Sequence, residues 1–301
     1  MGHRHGAPAG HAGSAHGSRL RLAWLLTVAF LAVELTTALL TGSLALLSDA
    51  GHMGADVVAL TASLLATRHA TRPDGSGRKT YGNYRIEILA AAFTCLLMVG
   101  VGTYTLAAVV ARLGDAPEVA STPLLVVGLL GLGVNAVALL VLRPGAAESL
   151  NLRGAYLEVV ADAAGSAGVV VAAVLIASTG TPVWDSVVAT VIGVFVVVRG
   201  LRLGRQVWAV LGQYVPAGMD AAGVESDLAA LPGVLDVHDL HLWTLTSGMD
   251  VATAHLVTAV GADQHGVLDR ARDLLRSRYG LEHATLQVES EDHDGCEELS
   301  W

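Results

Sequence analysis

Six apolar stretches constrain this chain more than any other feature of its sequence. A helix needs about 20 apolar residues to cross the hydrocarbon core of a bilayer. The stretches that we identify as spans lie at residues 22–40, 44–66, 86–111, 124–142, 156–177 and 186–199. Only 15% of the 301 residues are charged, whereas soluble domains average about 25%. The sequence therefore predicts a membrane bundle of six transmembrane α-helices.

The basic residues predict how this bundle is oriented. They cluster before the first stretch, between the second and third, between the fourth and fifth, and after the sixth. These residues are Arg19, Arg21, Arg68, Arg72, Arg78, Lys79, Arg85, Arg143, Arg153, Arg202 and Arg205. The connections on the opposite side contain Arg112 alone. Because positively charged loops stay in the cytoplasm, we expect a multi-pass protein of the cell membrane with both termini in the cytoplasm.

Two pairs of ionisable residues interrupt the apolar stretches at one spacing. His52 and Asp56 lie four residues apart in the second stretch, and Glu158 and Asp162 repeat that spacing in the fifth. Residues at i and i+4 share one face of a helix, and ionisable groups inside membrane spans usually mark functional sites. A structural role, in which the four groups hydrogen-bond neighbouring helices, is the alternative. The matched spacing favours a divalent metal site within the membrane.

Other residues in these stretches suggest supporting roles. Small residues in the second and fifth stretches, among them Gly51, Gly54, Gly165 and Gly168, would let two helices approach closely. Asp49 lies one turn before His52, and we assign it a structural or orienting role. Glu34 in the first stretch and Glu87 at the start of the third are weaker candidates, for a proton relay or for helix pairing.

The composition changes after the sixth stretch. Residues 221–231 and 264–279 have helical patterns, and residues 237–245, 250–258 and 284–288 have strand patterns. This order predicts a small α+β domain with both helices on one face of a sheet, as in ferredoxin-like folds. Acidic residues are frequent near the C-terminus and the formal net charge is −9, so nucleic acid is not expected as a partner.

We divide the chain into four regions. Residues 1–19 form a flexible tail, 20–207 the six-span transmembrane domain, 208–290 the cytoplasmic α+β domain, and 291–301 an acidic tail. The first tail carries His3, His5, His11 and His16, which either capture metal or have no function. Cys95 and Cys296 are too far apart in the predicted topology to pair, and Cys296 is either an inert thiol or a soft metal ligand.

Four segments, in order, make the chain resemble the cation diffusion facilitator family and its zinc-exporting branch. The segments are Thr41 to Asp56 (TGSLALLSDAGHMGAD), Tyr81 to Glu87 (YGNYRIE), Asn151 to Asp162 (NLRGAYLEVVAD) and Val237 to Trp243 (VHDLHLW). The resemblance covers nearly the whole chain. It implies a homodimer in the lipid bilayer, with six spans and a ferredoxin-like cytoplasmic domain in each protomer, that exchanges a divalent metal, usually zinc, for protons.

The resemblance also implies site residues. The family's transport site matches His52 and Asp56 in the second span and Asp162 in the fifth, while Glu158 stands where zinc exporters commonly have histidine. Zinc accepts nitrogen and carboxylate oxygen, but an added oxygen donor raises the plausibility of manganese, cobalt or iron(II).

A second, cytoplasmic zinc site is implied at one set of matching positions. This set is His238, His255, His283 and Glu289. Zinc would bind there as a regulatory ion. The alternative is a set of surface histidines on a small sheet. His241 is expected only to pack, and His69 is a weaker candidate for a peripheral site.

The ligand chemistry predicts the mechanism. Metal binding needs deprotonated donors, so metal and protons compete for one site, and alternating exposure of that site would give metal/proton antiport. We therefore expect a transporter and not an enzyme. Two rivals remain at this point: a membrane metalloenzyme with a catalytic metal on the same four residues, and a metal sensor that signals through its cytoplasmic domain. The sequence lacks the His-Glu-x2-His motif of metal-dependent proteases and the Walker motif of ATPases.

Overall fold

A computed structural model of the protein describes residues 12–70, 79–113, 119–146 and 150–292. Six long helices come first along the chain. They are α1 (Ala12–Thr41), α2 (Leu44–Ala70), α3 (Arg85–Ala111), α4 (Ser121–Ala146), α5 (Leu150–Thr179) and α6 (Val183–Leu211). Among the described residues, five of these helices, α1 and α3 to α6, are long and apolar enough to cross a membrane. The structure thus gives a multi-helix membrane domain. That α2 also crosses the membrane, which would bring the number of spans to six, remains a prediction.

The helix bounds differ from the predicted stretches mainly at two ends. The sixth stretch was expected to end at Arg199, but α6 continues to Leu211. Arginine is a good helix former, and its long side chain can carry the charge away from apolar surroundings, so a basic residue ends the apolar pattern without ending the helix. In addition, α1 begins at Ala12, inside the region predicted to be a flexible tail.

The described part of the chain falls into two compact units, one of residues 1–65 and 90–204 and one of residues 66–89 and 205–301. The first unit has an apolar core drawn from five helices. Phe30 of α1, Leu46 and Met53 of α2, Leu124 of α4 and Val169 of α5 are all buried in it. Residues of α6 complete the same core. The core therefore surrounds the part of α2 that carries the predicted metal ligands.

Two of the small residues permit the close approach that the sequence predicted. A Cβ atom on Gly165 of α5 would lie 2.1 Å from Oδ1 of Asp49 on α2. A Cβ atom on Gly51 would lie 2.2 Å from Cγ1 of Val101 on α3. Gly54 has no heavy atom of the described residues within 4 Å of that position. Glycine is thus needed where α5 meets α2 and where α2 meets α3, but not at Gly54.

A carboxylate from α6 caps the N-terminus of α2. Asp185 Oδ1 accepts a hydrogen bond of 2.5 Å from the Ser43 hydroxyl. Its Oδ2 accepts one of 2.7 Å from the backbone N–H of Leu44, and Oδ1 a longer one of 3.3 Å from that of Ala45. The first N–H groups of a helix have no partner within it, and a negative charge there interacts favourably with the helix dipole. Asp185 therefore fixes the start of the helix that carries His52 and Asp56.

The second unit contains an α/β domain with one sheet of three strands. Its elements are α7 (Ala221–Ala229), β1 (Val234–Thr246), β2 (Met249–Thr258), α8 (Gln264–Tyr279) and β3 (His283–Ser290). The strand order is β1-β2-β3, with β1 and β2 antiparallel and β2 and β3 parallel. The ferredoxin-like order βαββαβ has one strand more, and the described residues show none before α7. The predicted order of helices and strands is therefore correct, while the complete ferredoxin-like fold is not shown.

Both helices of this domain pack into one core with the sheet. Leu228 of α7 and Leu275 of α8 are buried in the same cluster as Leu242 of β1 and Leu256 of β2. At the end of α8, the Tyr279 hydroxyl donates a hydrogen bond to the Asp227 carboxylate of α7. This bond to an anionic acceptor raises the pKa of the Tyr279 phenol above its usual value.

Candidate metal centres

The α2 and α5 helices bring three predicted ligands together within the membrane domain. His52, Asp56 and Asp162 each offer a ligand atom within 4.8 Å of the others. His52 Nδ1 lies 3.6 Å from Asp56 Oδ2, and His52 Nε2 lies 3.8 Å from Asp162 Oδ1. Asp56 follows His52 by one turn of α2, which places both side chains on the same face. These separations suit three ligands of a single cation.

The donor atoms of this group fit a divalent metal. His52 and Asp162 are buried, and His52 Nδ1 and Asp162 Oδ1 have no hydrogen-bond partner among the described residues. Buried polar atoms are nearly always satisfied in native proteins, so these two need another partner. Imidazole nitrogen and carboxylate oxygen are both accepted by zinc in a tetrahedral site. A bound cation would satisfy Asp162 Oδ1 directly, and His52 would bind the same cation through one of its two ring nitrogens.

Glu158, the fourth predicted ligand, faces a different neighbour. Its carboxylate forms an ion pair with the guanidinium of Arg199 on α6, and its side chain is 43% exposed. The group of three ligand atoms within 4.8 Å does not include it. Arg199 also contacts Asp56, with Nη2 3.4 Å from Oδ1. Glu158 is therefore joined to the three-residue group through Arg199.

Arg199 was not among the predicted site residues. The sixth span was expected to end at Arg199, but the structure places this residue inside α6, one turn after the apolar Phe195. The Phe195 ring packs edge-on against the His52 ring, with centroids 5.8 Å apart. The available signal was a single arginine directly after an apolar run, and that pattern also fits an ordinary cytoplasmic helix end.

The weaker acidic candidates occupy different surroundings. Glu34 and Asp49 are both buried, and their carboxyl groups contact each other. Glu87, in the first turn of α3, accepts a hydrogen bond of 2.5 Å from the Thr246 hydroxyl of β1. The observed partner of Glu87 is thus a strand of the α/β domain, and the predicted relay or helix-pairing roles have no support there.

The sheet of the α/β domain forms a second group of possible ligands. His238, His255 and Glu289 offer atoms within 4.8 Å of one another. His238 and His255 are direct cross-strand partners, with ring centroids 5.1 Å apart. His255 Nδ1 lies 2.7 Å from Glu289 Oε1. His238 Nε2 is buried and has no hydrogen-bond partner among the described residues, so this nitrogen is a candidate ligand.

The prediction that His283 joins this group is wrong for a site within one protomer. His283 begins β3 opposite Val251, whereas Glu289 lies near the other end opposite Val257. A strand rises about 3.3 Å per residue, which separates the two by about 20 Å. His241 was expected to pack beside the buried face of β1, but its side chain is exposed.

Several predicted candidates fall where no side chain is described. His3, His5, His11 and Cys296 lie outside the described residues, as do the side chains of His16 and His69. Cys95 is described, and its thiol lies 3.2 Å from the carbonyl oxygen of Gly200 on α6.

Comparison with known proteins gives matches over both parts of the chain. The cation efflux transmembrane domain family matches residues 20–211, and the family's cytoplasmic domain matches residues 216–291. The metal cation efflux system protein CzcD of Cupriavidus metallidurans is 42% identical over 96% of this chain and 90% of its own length. A cadmium, cobalt and zinc/H(+)-K(+) antiporter of Bacillus velezensis is 32% identical over 98% of this chain and 94% of its own length.

A solved structure matches the C-terminal part. The metal-bound C-terminal domain of the CzcD transporter is 38% identical, covers 24% of this chain and 99% of its own chain, and has a TM-score of 0.23. The two family matches together extend over most of the sequence, from residue 20 to residue 291. The chain therefore belongs to the cation diffusion facilitator family.

Proposed function

We propose that this chain, a metal cation efflux transporter, exports a divalent cation, zinc foremost, in exchange for protons. The transport site would consist of His52, Asp56, Glu158 and Asp162. The observation that carries the proposal is the meeting of His52, Asp56 and Asp162 from two helices, with ligand atoms within 4.8 Å. The family and its relatives are transporters and not enzymes, so the metalloenzyme alternative no longer applies.

Proton exchange would follow from the donors themselves. A carboxylate or an imidazole must lose its proton before it can bind a metal, so metal binding releases protons and protonation releases metal. If the site opens first to the cytoplasm and then to the outside, a proton gradient drives metal outward. The antiporter relative from Bacillus velezensis supports this coupling by its name.

The choice of metal rests on the mixed donor set. One imidazole and three carboxylates can bind zinc, and the excess of oxygen donors also suits manganese, cobalt or iron(II). The antiporter relative is named for cadmium, cobalt and zinc, which supports a broad site. We therefore propose zinc as the main substrate and the other divalent ions as alternatives.

The transport proposal is tested by removing one ligand charge. Asp162→Asn keeps the size of the side chain and replaces an anionic donor, so metal-dependent proton flux in proteoliposomes should fall by about a hundredfold or more, since loss of even an outer-shell partner of a ligand costs about 10–100-fold. Asp273→Asn, on the exposed face of α8, is the matched control and should leave the flux unchanged. Unimpaired flux in Asp162→Asn would show that the group is structural.

We further propose that the α/β domain binds a divalent cation through His238, His255 and Glu289 as a regulatory ion. The buried and unpartnered Nε2 of His238 supports this assignment. His255→Ala should lower the zinc bound per protomer by one, as measured by equilibrium dialysis with elemental analysis. His265→Ala, an exposed histidine at the start of α8, is the matched control. Equal zinc content in both variants would contradict a site on this sheet.

The remaining features of the assembly are also proposals. We propose a homodimer, which the match of residues 216–291 to the family's cytoplasmic domain supports. We propose six spans with both termini in the cytoplasm, which the distribution of basic residues supports.

A further inference from the structure

One face of α6 is directed at the transport site. Phe195 and Arg199 lie one turn apart on this helix, so their side chains share a face. Phe195 packs edge-on against His52 at an interplanar angle of 80°, and Arg199 extends toward the carboxylates of α2 and α5. A third helix therefore contributes to a site that the sequence assigned to α2 and α5 alone.

The guanidinium of Arg199 contacts three of the four predicted ligands. Its Nη2 pairs with Glu158 Oε2 and lies 3.4 Å from Asp56 Oδ1. Its Nη1 lies 3.5 Å from Asp56 Oδ2 and 3.1 Å from His52 Nε2. Arginine is always charged in proteins and offers only donors, so it cannot itself bind a metal. Each of these contacts therefore engages a lone pair of a predicted ligand, and on His52 Nε2 that lone pair is the only one.

The contact with His52 shows this competition at a single atom. Because Arg199 can only donate, the Nε2 atom that lies 3.1 Å from its Nη1 accepts the hydrogen bond. The same nitrogen is the one that lies 3.8 Å from Asp162 Oδ1. A cation held between His52 Nε2 and Asp162 would need this lone pair, so it cannot bind there while Arg199 keeps its hydrogen bond.

We propose that Arg199 is a specificity-determining residue of the transport site, an internal cation that the transported metal displaces from Asp56, Glu158 and His52. This inference rests on the proposed function. With Asp56, Glu158 and Asp162 ionised, three carboxylates and one guanidinium carry a net charge of −2. A divalent cation that takes the place of the guanidinium reduces the net charge of the site to −1, whereas a monovalent cation would leave it at −2 in a poorly solvated site, which is costly.

Displacement of Arg199 would also make metal release easier. The guanidinium lowers the affinity for metal because it competes for the same donors and repels the incoming cation. When the metal leaves, the guanidinium returns to Asp56 and Glu158 and prevents their charges from remaining unpaired. Without Arg199, the metal should bind more tightly and leave more slowly.

The test separates affinity from turnover in purified protein. Arg199→Gln should lower the KM for zinc in proteoliposomes at least about tenfold, since a fixed like charge beside a cation is costly, and should also lower kcat. Arg199→Lys keeps the charge on one compact ammonium that cannot bridge two carboxylates in the same way, so its KM should fall between the two. Arg202→Gln is the matched control, one turn further along α6 and exposed, and should change neither constant.

A structural role for Arg199 predicts different results. A lower kcat with an unchanged or higher KM in both Arg199 variants would overturn the proposal. Zinc titration of the detergent-solubilised proteins, followed by the rise in Tm, supplies a second readout. This rise should be larger in Arg199→Gln than in the wild type, and an equal or smaller rise would also overturn the inference. If Arg199→Gln fails to fold, Arg199→Lys decides the matter by whether its KM lies below that of the wild type.

The same measurements distinguish this inference from the proposed function. If Asp162→Asn in the wild-type background leaves zinc transport intact, the proposed site is wrong and the role of Arg199 fails with it. If Asp162→Asn abolishes transport but Arg199→Gln does not tighten zinc binding, only the inference about Arg199 fails.

Discussion

At the residue scale, Glu158 is where this chain departs from the pattern of zinc exporters. It supplies an oxygen donor at a position where that pattern has histidine, and in the structure its carboxylate pairs with Arg199. An ion pair of this kind holds a carboxylate in place, and removal of either partner would leave the other without compensation. The Arg199 contact thus gives Glu158 a role that histidine could not take over unchanged.

We expect Glu158→His to shift the selectivity from manganese toward zinc, by roughly tenfold or about 1.4 kcal/mol. The physical reason is that imidazole nitrogen favours zinc over harder ions. Competition assays with both metals in proteoliposomes measure the ratio. Glu158→Gln is the control, because it removes the charge and the pairing with Arg199 while keeping an oxygen donor. If Glu158→Gln shifts the ratio as far as Glu158→His does, the lost charge, and not the nitrogen, is responsible.

The sequence predicted only the part of this site that lies on α2 and α5, because helix periodicity relates residues of one helix and not residues of different helices. The i, i+4 spacing identifies pairs on one helix face, and the structure brings three of those four residues together. The spacing contains no information about a third helix. Arg199 reaches the site because α6 continues through it and packs Phe195 on His52, and such contacts depend on tertiary packing.

At the element scale, the position of α2 depends on groups far away in the sequence. Asp185 of α6 accepts hydrogen bonds from Ser43 and Leu44 at the start of α2, and Gly165 of α5 leaves room for Asp49. These contacts hold the helix that carries His52 and Asp56 at its N-terminus and in its second turn. The proposed transport site would therefore depend on both contacts without including either of them.

We expect Asp185→Asn to reduce the stability of the protein by about 1–3 kcal/mol, because one of the buried donors at the start of α2 loses its acceptor and the helix dipole loses an opposing charge. The Tm in detergent should fall by several degrees, while the zinc affinity of the folded protein changes little. Asp220→Asn is the control, since Asp220 precedes α7 without a side-chain capping bond. An unchanged Tm in Asp185→Asn would show that other contacts fix α2.

The boundaries of the elements show what sequence patterns can specify. The predicted α8 agrees with the structure at both ends, Gln264 and Tyr279, because Asp263 caps its start and Gly280 adopts the left-handed conformation that ends it. The α6 helix continues to Leu211 through Gly200, the glycine directly after Arg199, so its end could not be read from polarity or from a glycine alone. The caps at the two ends of α8 predicted its boundaries better than hydropathy predicted the end of α6.

At the scale of the whole molecule, the chain combines an apolar helical domain with a polar α/β domain. Basic residues flank the spans on one predicted side and acidic residues concentrate near the C-terminus. Both metal-ligand groups contain histidine and carboxylate, one within the helical domain and one on the sheet. The predicted orientation places the sheet in the cytoplasm. The binding of a regulatory ion to the sheet would then depend on the concentration of the metal to be exported.

This orientation can be tested with single cysteines in a background in which Cys95 and Cys296 are replaced by serine. A cysteine at Thr181, exposed in the connection between α5 and α6, should react with an impermeant maleimide in intact cells. Cysteines at Gly13 and at Arg272, on the exposed face of α8, should react only after permeabilisation, because arginine-rich connections remain inside. Reaction of Arg272→Cys in intact cells would place the sheet outside the cell. The ligands on the sheet could not then bind cytoplasmic metal, and the proposed regulation would be contradicted.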